Sequence, residues 1–438
     1  MTAQSRRPRT KNSPTQPGFA LALLMAGAVA TAYLGALAAK WANAPTPQRD
    51  DFLPLALYLA SAAAMGSFFL LFGFRADLRL LLPALFLYGI GVALQFRFDM
   101  YATTTPDSLS AYAGAVGMAL CMIAALTLRG DAGRSLLRLS APLCYIAALA
   151  MLGGMIAMGH RFRGGVFLQG GINPTEICKV LLVVAFAPFL ANHSKELSRT
   201  VAGLPVPPVS TTLSLAALWL LPMLGLVILH DLGMLVLCSS VLGVMLYAAT
   251  GRKGYLVVGL LLVIGVTLAG YHLTPHVATR VTAWRDPFHD PTGGGWQTLQ
   301  SLSAMYTGGA WGRGIGAGSP KLIPVASTDF VYAVIAEELG FLGCLLIMAA
   351  FLTLFRGAFD TARRQRDDST RLLAVGLAAL LAVQTLLNIG GVTKAIPVTG
   401  VPLPFVSRGG SSLVTSFLAL GLLLALGADA KASSRRRR

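Results

Sequence analysis

The chain has 438 residues, of which 55% are hydrophobic and 12% charged, and its formal net charge is +17. Apolar runs of about 17–25 residues recur from end to end, the length that crosses a bilayer, which excludes an ordinary soluble domain. The positive charge falls between and beside those runs, where it acts as a topology signal and as affinity for an anionic leaflet, so it implies no nucleic acid.

Allowing about 20 residues per crossing, the sequence predicts an all-α, polytopic transmembrane bundle of about 12 helices. They lie near 18–40, 52–74, 80–96, 110–128, 141–160, 175–192, 210–229, 231–249, 254–272, 329–355, 371–391 and 411–428. The run 210–249 is interrupted only by His230, Asp231 and Gly233 and is the least distinct of these. The first run is too long for a secretion-signal core and has no convincing cleavage site, so it is expected as a mature helix. Basic residues cluster in alternate connections: Arg6, Arg7, Arg9 and Lys11; Arg75 and Arg79; Arg129, Arg134 and Arg138; Lys195 and Arg199; Arg252 and Lys253; Arg356 to Arg371; and Arg435 to Arg438. This pattern puts both termini in the cytoplasm and residues 41–51, 97–109, 161–174, 273–328 and 392–410 outside. Residues 1–17 and 429–438 read as basic, disordered tails. The five cysteines all lie in apolar segments and read as packing residues, not as disulfides or metal ligands.

The motifs that carry chemistry follow residue 170. Glu176 and Lys179 stand at i, i+3 on one helix face, where an ion pair is tolerated near the membrane edge; a structural pair is favoured over direct substrate contact. Asp231 is a polar anchor inside an apolar run, placed by alternation near the cytoplasmic side. The connection 273–328 is long enough to suggest function. Its Asp286-Pro287 and Asp290-Pro291 dipeptides read, from spacing alone, as caps of turns or short helices. The Gly-x-Gly-x-Gly at 312–316 follows no strand, so it does not point to a dinucleotide. Arg313 and Lys321, with exposed backbone amides, suit a diphosphate instead, against the alternative of a flexible loop with solvated cations. Thr328 or Asp329 is expected to cap the next helix. Glu337 and Glu338 fall about 12–14 Å along it and point about 100° apart, so one of them is expected to face a polar site. Gln384 and Asn388 share a face ahead of a segment punctuated by Pro397, Pro402 and Pro404. Non-helical backbone at membrane depth must be buried in protein or line a wet cavity, which marks this segment as a candidate site. Lys394 and Arg408 bring it two cations, for phosphate or for partner contacts. Ser411 and Ser412 read as helix caps, since no Gly-x-Ser-x-Gly turn surrounds them.

The run from Pro402 to Ser412 resembles Pro-Leu-Pro-Phe-(Ile/Val)-Ser-x-Gly-Gly-Ser-Ser, a signature of the SEDS (shape, elongation, division and sporulation) family of peptidoglycan glycosyltransferases. Arg280-Val281, Asp290 to Gln297 and Gln300-Ser301 are similar to the family's Arg-Val, Asp-Pro-x-Gly-x-Gly-Tyr-Gln and Gln-Ser. Ser327 to Gly340 resembles its His-Thr-Asp-Phe helix start with Glu-Glu-Leu-Gly, and Asn173 to Lys179 its Gln-Pro-Ser-Glu-x-x-Lys. Departures stand at Trp296 for Tyr, Ser327 for His, and Lys394 and Arg408 for Gly and Tyr. The resemblance implies a family core over 75–428 of about ten helices, preceded by two added helices in 18–74 that would serve as a docking surface.

What the resemblance implies for function is an inverting glycosyltransferase. It would polymerise lipid II, an undecaprenyl-diphosphate-linked substrate, at the outer face of the bacterial cytoplasmic membrane, for division, elongation or shape control. Asp290 would be the catalytic base, a task that suits a carboxylate when partial desolvation raises its pKa. Arg280, Arg313 and Lys321 would hold diphosphate, and Gln297, Gln300, Ser301, Asp329, Glu338, Lys394, Arg408 and Ser411 would complete the substrate site. Glu176, Lys179, Asn388, Pro397, Pro402 and Pro404 would shape the cavity. A class B penicillin-binding transpeptidase would be the partner. No cofactor is required, although a Mg or Mn ion could assist the diphosphate. Composition alone equally allows a lipid flippase or transporter, and a non-catalytic scaffold of a division or elongation complex is the third reading.

Overall fold

The structure is a computed structural model that describes residues 16–43, 51–74, 76–99, 108–162, 165–167, 173–201, 204–273 and 275–435. Its apolar segments are helical because a bilayer offers the backbone no hydrogen-bond partner outside the protein. Helices α1 (Gln16–Asn43), α2 (Leu53–Leu71), α3 (Leu78–Asp99) and α4 (Ser108–Thr127) come first. α5 (Gly130–Leu139) then turns from α4 by 110° and leads into α6 (Ala141–Met158). A small ribbon of β1 (His160–Phe162) and β2 (Gly165–Phe167) precedes α7 (Thr175–Asn192) and the short α8 (Ser194–Leu197). A second ribbon, β3 (Thr200–Val201) with β4 (Leu204–Pro205), leads to α9 (Val209–Ile228), α10 (Leu232–Thr250) and α11 (Gly254–Leu273). The long connection holds α12 (Pro275–Arg285), α13 (Trp296–Gly308) and a 3-10 turn at Pro320–Leu322. It ends at α14 (Val331–Arg363), which is followed by α15 (Asp368–Val392) and α16 (Gly410–Arg435).

Eleven of these helices are long and apolar enough to cross a membrane, and the bent pair α4–α5 makes up to twelve. Every expected span corresponds to a helix, and the indistinct run 210–249 divides at Leu229–Asp231. The chain is a multi-pass membrane protein. One expectation is corrected at the C-terminus, where α16 continues to Arg435 in place of a disordered tail from 429. The basic residues before Gln16 lie outside the described residues.

The core is assembled around α15, which packs against α7, α10, α14 and α16. Small residues allow the closest crossings, as membrane helices require: a methyl group on Gly421 of α16 would lie 2.6 Å from the Cys121 carbonyl oxygen of α4. A polar chain runs through the same core. Lys179 of α7 is 2% exposed, ion-pairs with Glu176 and donates to Gln384 Oε1 of α15 at 2.7 Å. Gln384 Nε2 in turn donates to Ser412 Oγ of α16 at 3.2 Å. Removing one partner would strand a charge in an apolar bundle, at a cost of about 3–5 kcal/mol. α1 packs along α3, and α2 lies against α3 and α4, so the first two helices flank this core.

The orientation expected from the basic connections has a direct test. A cysteine replacing exposed Thr292 should react with an impermeant maleimide in intact cells, and one replacing exposed Arg366 should not. Four of the five native cysteines are buried, which keeps the background low. The opposite labelling pattern would invert the assignment.

Candidate active site

A break in α14 organises one half of the candidate site. Gly340 has φ 68° and ψ −170°, so the segment begun at Val331 ends just after Glu337 and Glu338 and a second segment starts at Phe341. A helix interrupted at membrane depth frees amides and carbonyls that need partners. The glycine-rich loop after α13 supplies them. Phe341 N donates to Gly309 O at 2.9 Å and Leu342 N to Ala310 O at 3.1 Å, while Arg313 N and Gly314 N donate to the carbonyls of Glu337 and Glu338 at 2.9 and 3.0 Å. The two backbones approach so closely that a Cβ on Gly340 would lie 2.2 Å from Gly312 N.

The carboxylates follow the backbone. Glu337 Oε1 accepts Ser319 N at 3.0 Å, Glu338 Oε2 accepts Gly316 N at 3.1 Å, and Arg313 approaches Glu337 at 3.5 Å. Two expectations are thereby corrected. Both carboxylates face the loop, because the loop wraps the end of the helix segment that carries them. The loop amides that suited a diphosphate are instead bonded to α14 at Arg313, Gly314, Gly316 and Ser319. The loop's outward chemistry is then the half-exposed Arg313 side chain and exposed Lys321 in the 3-10 turn.

The two Asp-Pro sites both form turns. Asp286 Oδ1 accepts Phe288 N at 3.0 Å. At Asp290 both oxygens are engaged, Oδ1 by Gly293 N at 3.1 Å and Oδ2 by Gly294 N at 2.7 Å, and the Asp290 carbonyl accepts Gly295 N at 2.9 Å. The glycines are required here, since a Cβ on Gly293 would sit 2.2 Å from Asp290 Oδ2. Asp290 stands at the mouth of α13 and is exposed, so the partial desolvation expected of it is not supplied by the chain itself. Gln297 Nε2 donates to Pro324 O at 3.2 Å and buried Ser301 Oγ to Val392 O at 3.1 Å, which fastens α13 to the descending loop and to the end of α15. Gln300 is half-buried on the same helix.

The Pro-rich segment after α15 is held from several sides. Arg280 of α12 donates to Thr399 O at 3.1 Å and Val398 O at 3.4 Å, and Trp284 Nε1 to Lys394 O at 3.1 Å. Asn388 Nδ2 donates to Val401 O at 2.8 Å and Asp329 O at 2.9 Å, and Gln384 Nε2 to Pro402 O at 2.9 Å. Ser407 Oγ donates to Thr328 O at 2.5 Å and Arg408 N to Ser327 O at 2.8 Å. These bonds hold Lys394 at φ 61° and Phe405 at φ 64°, conformations that cost about 1–3 kcal/mol each in residues with side chains. Pro397, Pro402 and Pro404 lie within this network. The space between the segment and α15, lined by Asp329, Asn388, Thr399 and Gly400 among others, is about 10 Å³, room for about one water.

Arg280 therefore spends donors on the segment's carbonyls, where the sequence suggested a diphosphate ligand. Burial pulls its guanidinium below its ordinary value, and the charges of Asp329 and Asp231 oppose that. Burial also pushes Asp329 and Asp231 above the usual carboxylate range, with Arg280 pulling both back. Asp231, expected near the cytoplasmic side, shares an end of the bundle with the Pro-rich segment expected outside, so those two expectations conflict. It caps α10 through Met234 N at 3.0 Å and accepts Thr175 Oγ1 at 3.3 Å, and a Cβ on neighbouring Gly233 would lie 2.3 Å from Thr399 O. It thus sits at the same end as the Pro-rich segment. Three expected caps are corrected as well. α14 has Phe330 at its N-cap with no side-chain bond, so neither Thr328 nor Asp329 caps it. Ser411 Oγ accepts Asn173 N at 3.0 Å and Ser412 Oγ accepts Gln384, ties across the bundle in place of caps.

A many-helix membrane bundle whose broken helix, glycine loop and Pro-rich segment gather at one end defines a class of polytopic membrane protein with its chemistry at that end. The family model for the FtsW/RodA/SpoVE cell cycle proteins matches residues 76–432, and the chain belongs to that family. It is 35% identical over 301 residues to the peptidoglycan glycosyltransferase RodA of Mycobacterium tuberculosis strain H37Rv, a match covering 68% of this chain and 64% of that protein. It is 34% identical over 277 residues to stage V sporulation protein E of Bacillus subtilis strain 168, covering 62% and 72%. Among solved structures, a chain from a peptidoglycan synthase complex that coordinates polymerization and crosslinking is 29% identical with a TM-score of 0.61, covering 79% of this chain and 97% of that one. The rod shape determining protein RodA of Thermus thermophilus is 25% identical with a TM-score of 0.54, covering 79% and 96%.

Arg280→Ala removes two bonds to the Pro-rich segment and the positive charge beside Asp329. The expected loss is about 3 kcal/mol, read as a lower thermal unfolding midpoint in detergent. Adding Asp329→Asn should recover part of it, and simple additivity of the two changes would show that the groups are not coupled.

Proposed function

We propose that this protein polymerises lipid II into glycan strands as an inverting glycosyltransferase at the outer face of the cytoplasmic membrane. The observation that carries the reading is Asp290, an exposed carboxylate whose two oxygens are fixed by glycine amides. The relatives named as peptidoglycan glycosyltransferases support it. Asp290 takes the proton of an acceptor sugar hydroxyl as that oxygen attacks the donor's anomeric carbon. The new carbon–oxygen bond forms on the face opposite the diphosphate, the sugar–phosphate bond breaks, and the polyprenyl diphosphate leaves with the electron pair. A single displacement inverts the anomeric configuration. Trp296, 38% exposed beside the Asp290 turn, offers a face to a sugar.

Arg313, Lys321, Lys394 and Arg408 are the cations suited to the departing diphosphate. Arg280 and Asp329 act one step back, through the Pro-rich segment. Among the described residues no three Asp, Glu, His or Cys side chains converge as a resident metal ion would need, and a Mg or Mn ion would arrive with the substrate's diphosphate. A class B penicillin-binding transpeptidase is the partner that fits, given the similar chain found in a complex coordinating polymerization with crosslinking.

Purified protein given fluorescent lipid II should make glycan chains. Asp290→Asn should lower the rate by about 10²–10⁴-fold, the usual contribution of a general base, while Asp286→Asn keeps most of it. Equal loss in both variants would remove Asp290 from its role. Labelled lipid crossing liposomes with no chain formed by the wild type would replace the enzyme with a flippase.

A further inference from the structure

Helix α1 precedes the part of the chain that the family model matches, yet it touches the glycine loop. Ile315 stands between Gly314 at φ 101° and Gly316 at φ 86°, left-handed conformations that side chains resist, and these turn Ile315 out of the loop. It lies over Gly35 of α1: a Cβ added at Gly35 would be 3.3 Å from Ile315 Cβ and 3.4 Å from its Cγ2 and Cδ1. Both ends of the contact are anchored. On the loop side, Gly314 N and Gly316 N are bonded to the Glu338 carbonyl and carboxylate at 3.0 and 3.1 Å. On the helix side, a Cβ on Gly89 of α3 would lie 2.6 Å from Val29 Cγ2, so α1 is seated hard against α3. Further along α1, Tyr33 Oη donates to Asp51 O at 2.6 Å, and Lys40 ion-pairs with buried Asp51 while lying 5.4 Å from the centre of the Phe96 ring of α3.

We propose that α1 is a positioning element of the site, and that Ile315 keyed over Gly35 sets where the glycine loop presents Arg313 and Lys321. Helix α1 then belongs to the working unit, not to a detachable docking surface. The inference rests on the glycosyltransferase reading for its activity measurement, while the contact itself is testable without it.

Gly35→Leu drives a side chain into Ile315 and should lower glycan synthesis about tenfold. Ile315→Ala opens the space, so the double variant Gly35→Leu/Ile315→Ala should regain most of the rate, a non-additivity that general loss of folding would not give. In parallel, Gly35→Cys/Ile315→Cys should close a disulfide on mild oxidation, since the Cβ positions lie within reach of one. A fully active Gly35→Leu variant, a loss that Ile315→Ala does not relieve, or a cysteine pair that stays open would each overturn the proposal. A closing cysteine pair in a protein whose wild type makes no glycan would instead overturn the enzymatic reading.

Discussion

A helix broken inside a membrane leaves backbone groups that lipid cannot satisfy, and the rest of this site depends on how that problem is solved at Gly340. The solution is a second piece of irregular backbone. Gly309 and Ala310 accept the first amides of the outgoing segment, and Arg313 and Gly314 donate to the last carbonyls of the incoming one. Side chains at Gly312 or Gly340 would separate the two strands of this interlock, which accounts for glycine at both. With the backbones joined, Glu337 and Glu338 accept the loop's own amides, with the Arg313 guanidinium beside Glu337, so two carboxylates costly at that depth become the bolts of the loop.

The Pro-rich segment is solved differently. It has no broken helix to pair with, so its carbonyls are met by side chains from α12 and α15: Arg280, Trp284, Gln384 and Asn388. Side-chain donors can hold a backbone in conformations that a helix or sheet would reject, and Lys394 and Phe405 are held at positive φ in this way. The cost is a charged group taken below the surface. Arg280 is tolerable there because Asp329 and Asp231 sit beside it, which explains an aspartate in the α9–α10 break without assigning it any contact with substrate.

The sequence made the spans legible because twenty apolar residues in a row admit few other readings, and the break at His230–Asp231 was visible because Asp231 is the one acidic residue in the run 210–249. It did not show α5, α12 or α13, which are shorter than a crossing and carry no long apolar run. Asp290 and the glycines around it were readable as a motif, since their geometry is local: a carboxylate bonded to amides three and four residues on. Glu337 and Glu338 were readable as anomalies but not as bolts, because their partners are main-chain amides of a loop about twenty residues earlier, and amides leave no trace in a sequence. The conflict over Asp231 was visible in the sequence itself. Counting crossings from a cytoplasmic N-terminus puts the α9–α10 turn on the same side as 273–328, where Thr175 and Thr399 meet it.

α13 ties the glycine loop to the end of α15, from which the Pro-rich segment leaves. Its first turn follows the Asp290 carboxylate, Gln297 and Ser301 fasten its flank to Pro324 and Val392, and its last residues run into the break of α14. At about 1.5 Å per residue such a helix is about 20 Å long, and it is held at its start, its middle and its end. A catalytic group is placed best on a rigid element whose supports are themselves fixed. Asp290 lies on an exposed turn, yet that turn is the end of a strut locked to the glycine loop and to the end of α15. A disturbance of the glycine loop reaches the carboxylate through α13, and one of the Pro-rich segment reaches it through Arg280 and Trp284 of α12. This is why the contact of Ile315 with Gly35 of α1, a helix remote from Asp290 in sequence, belongs to the same mechanical unit.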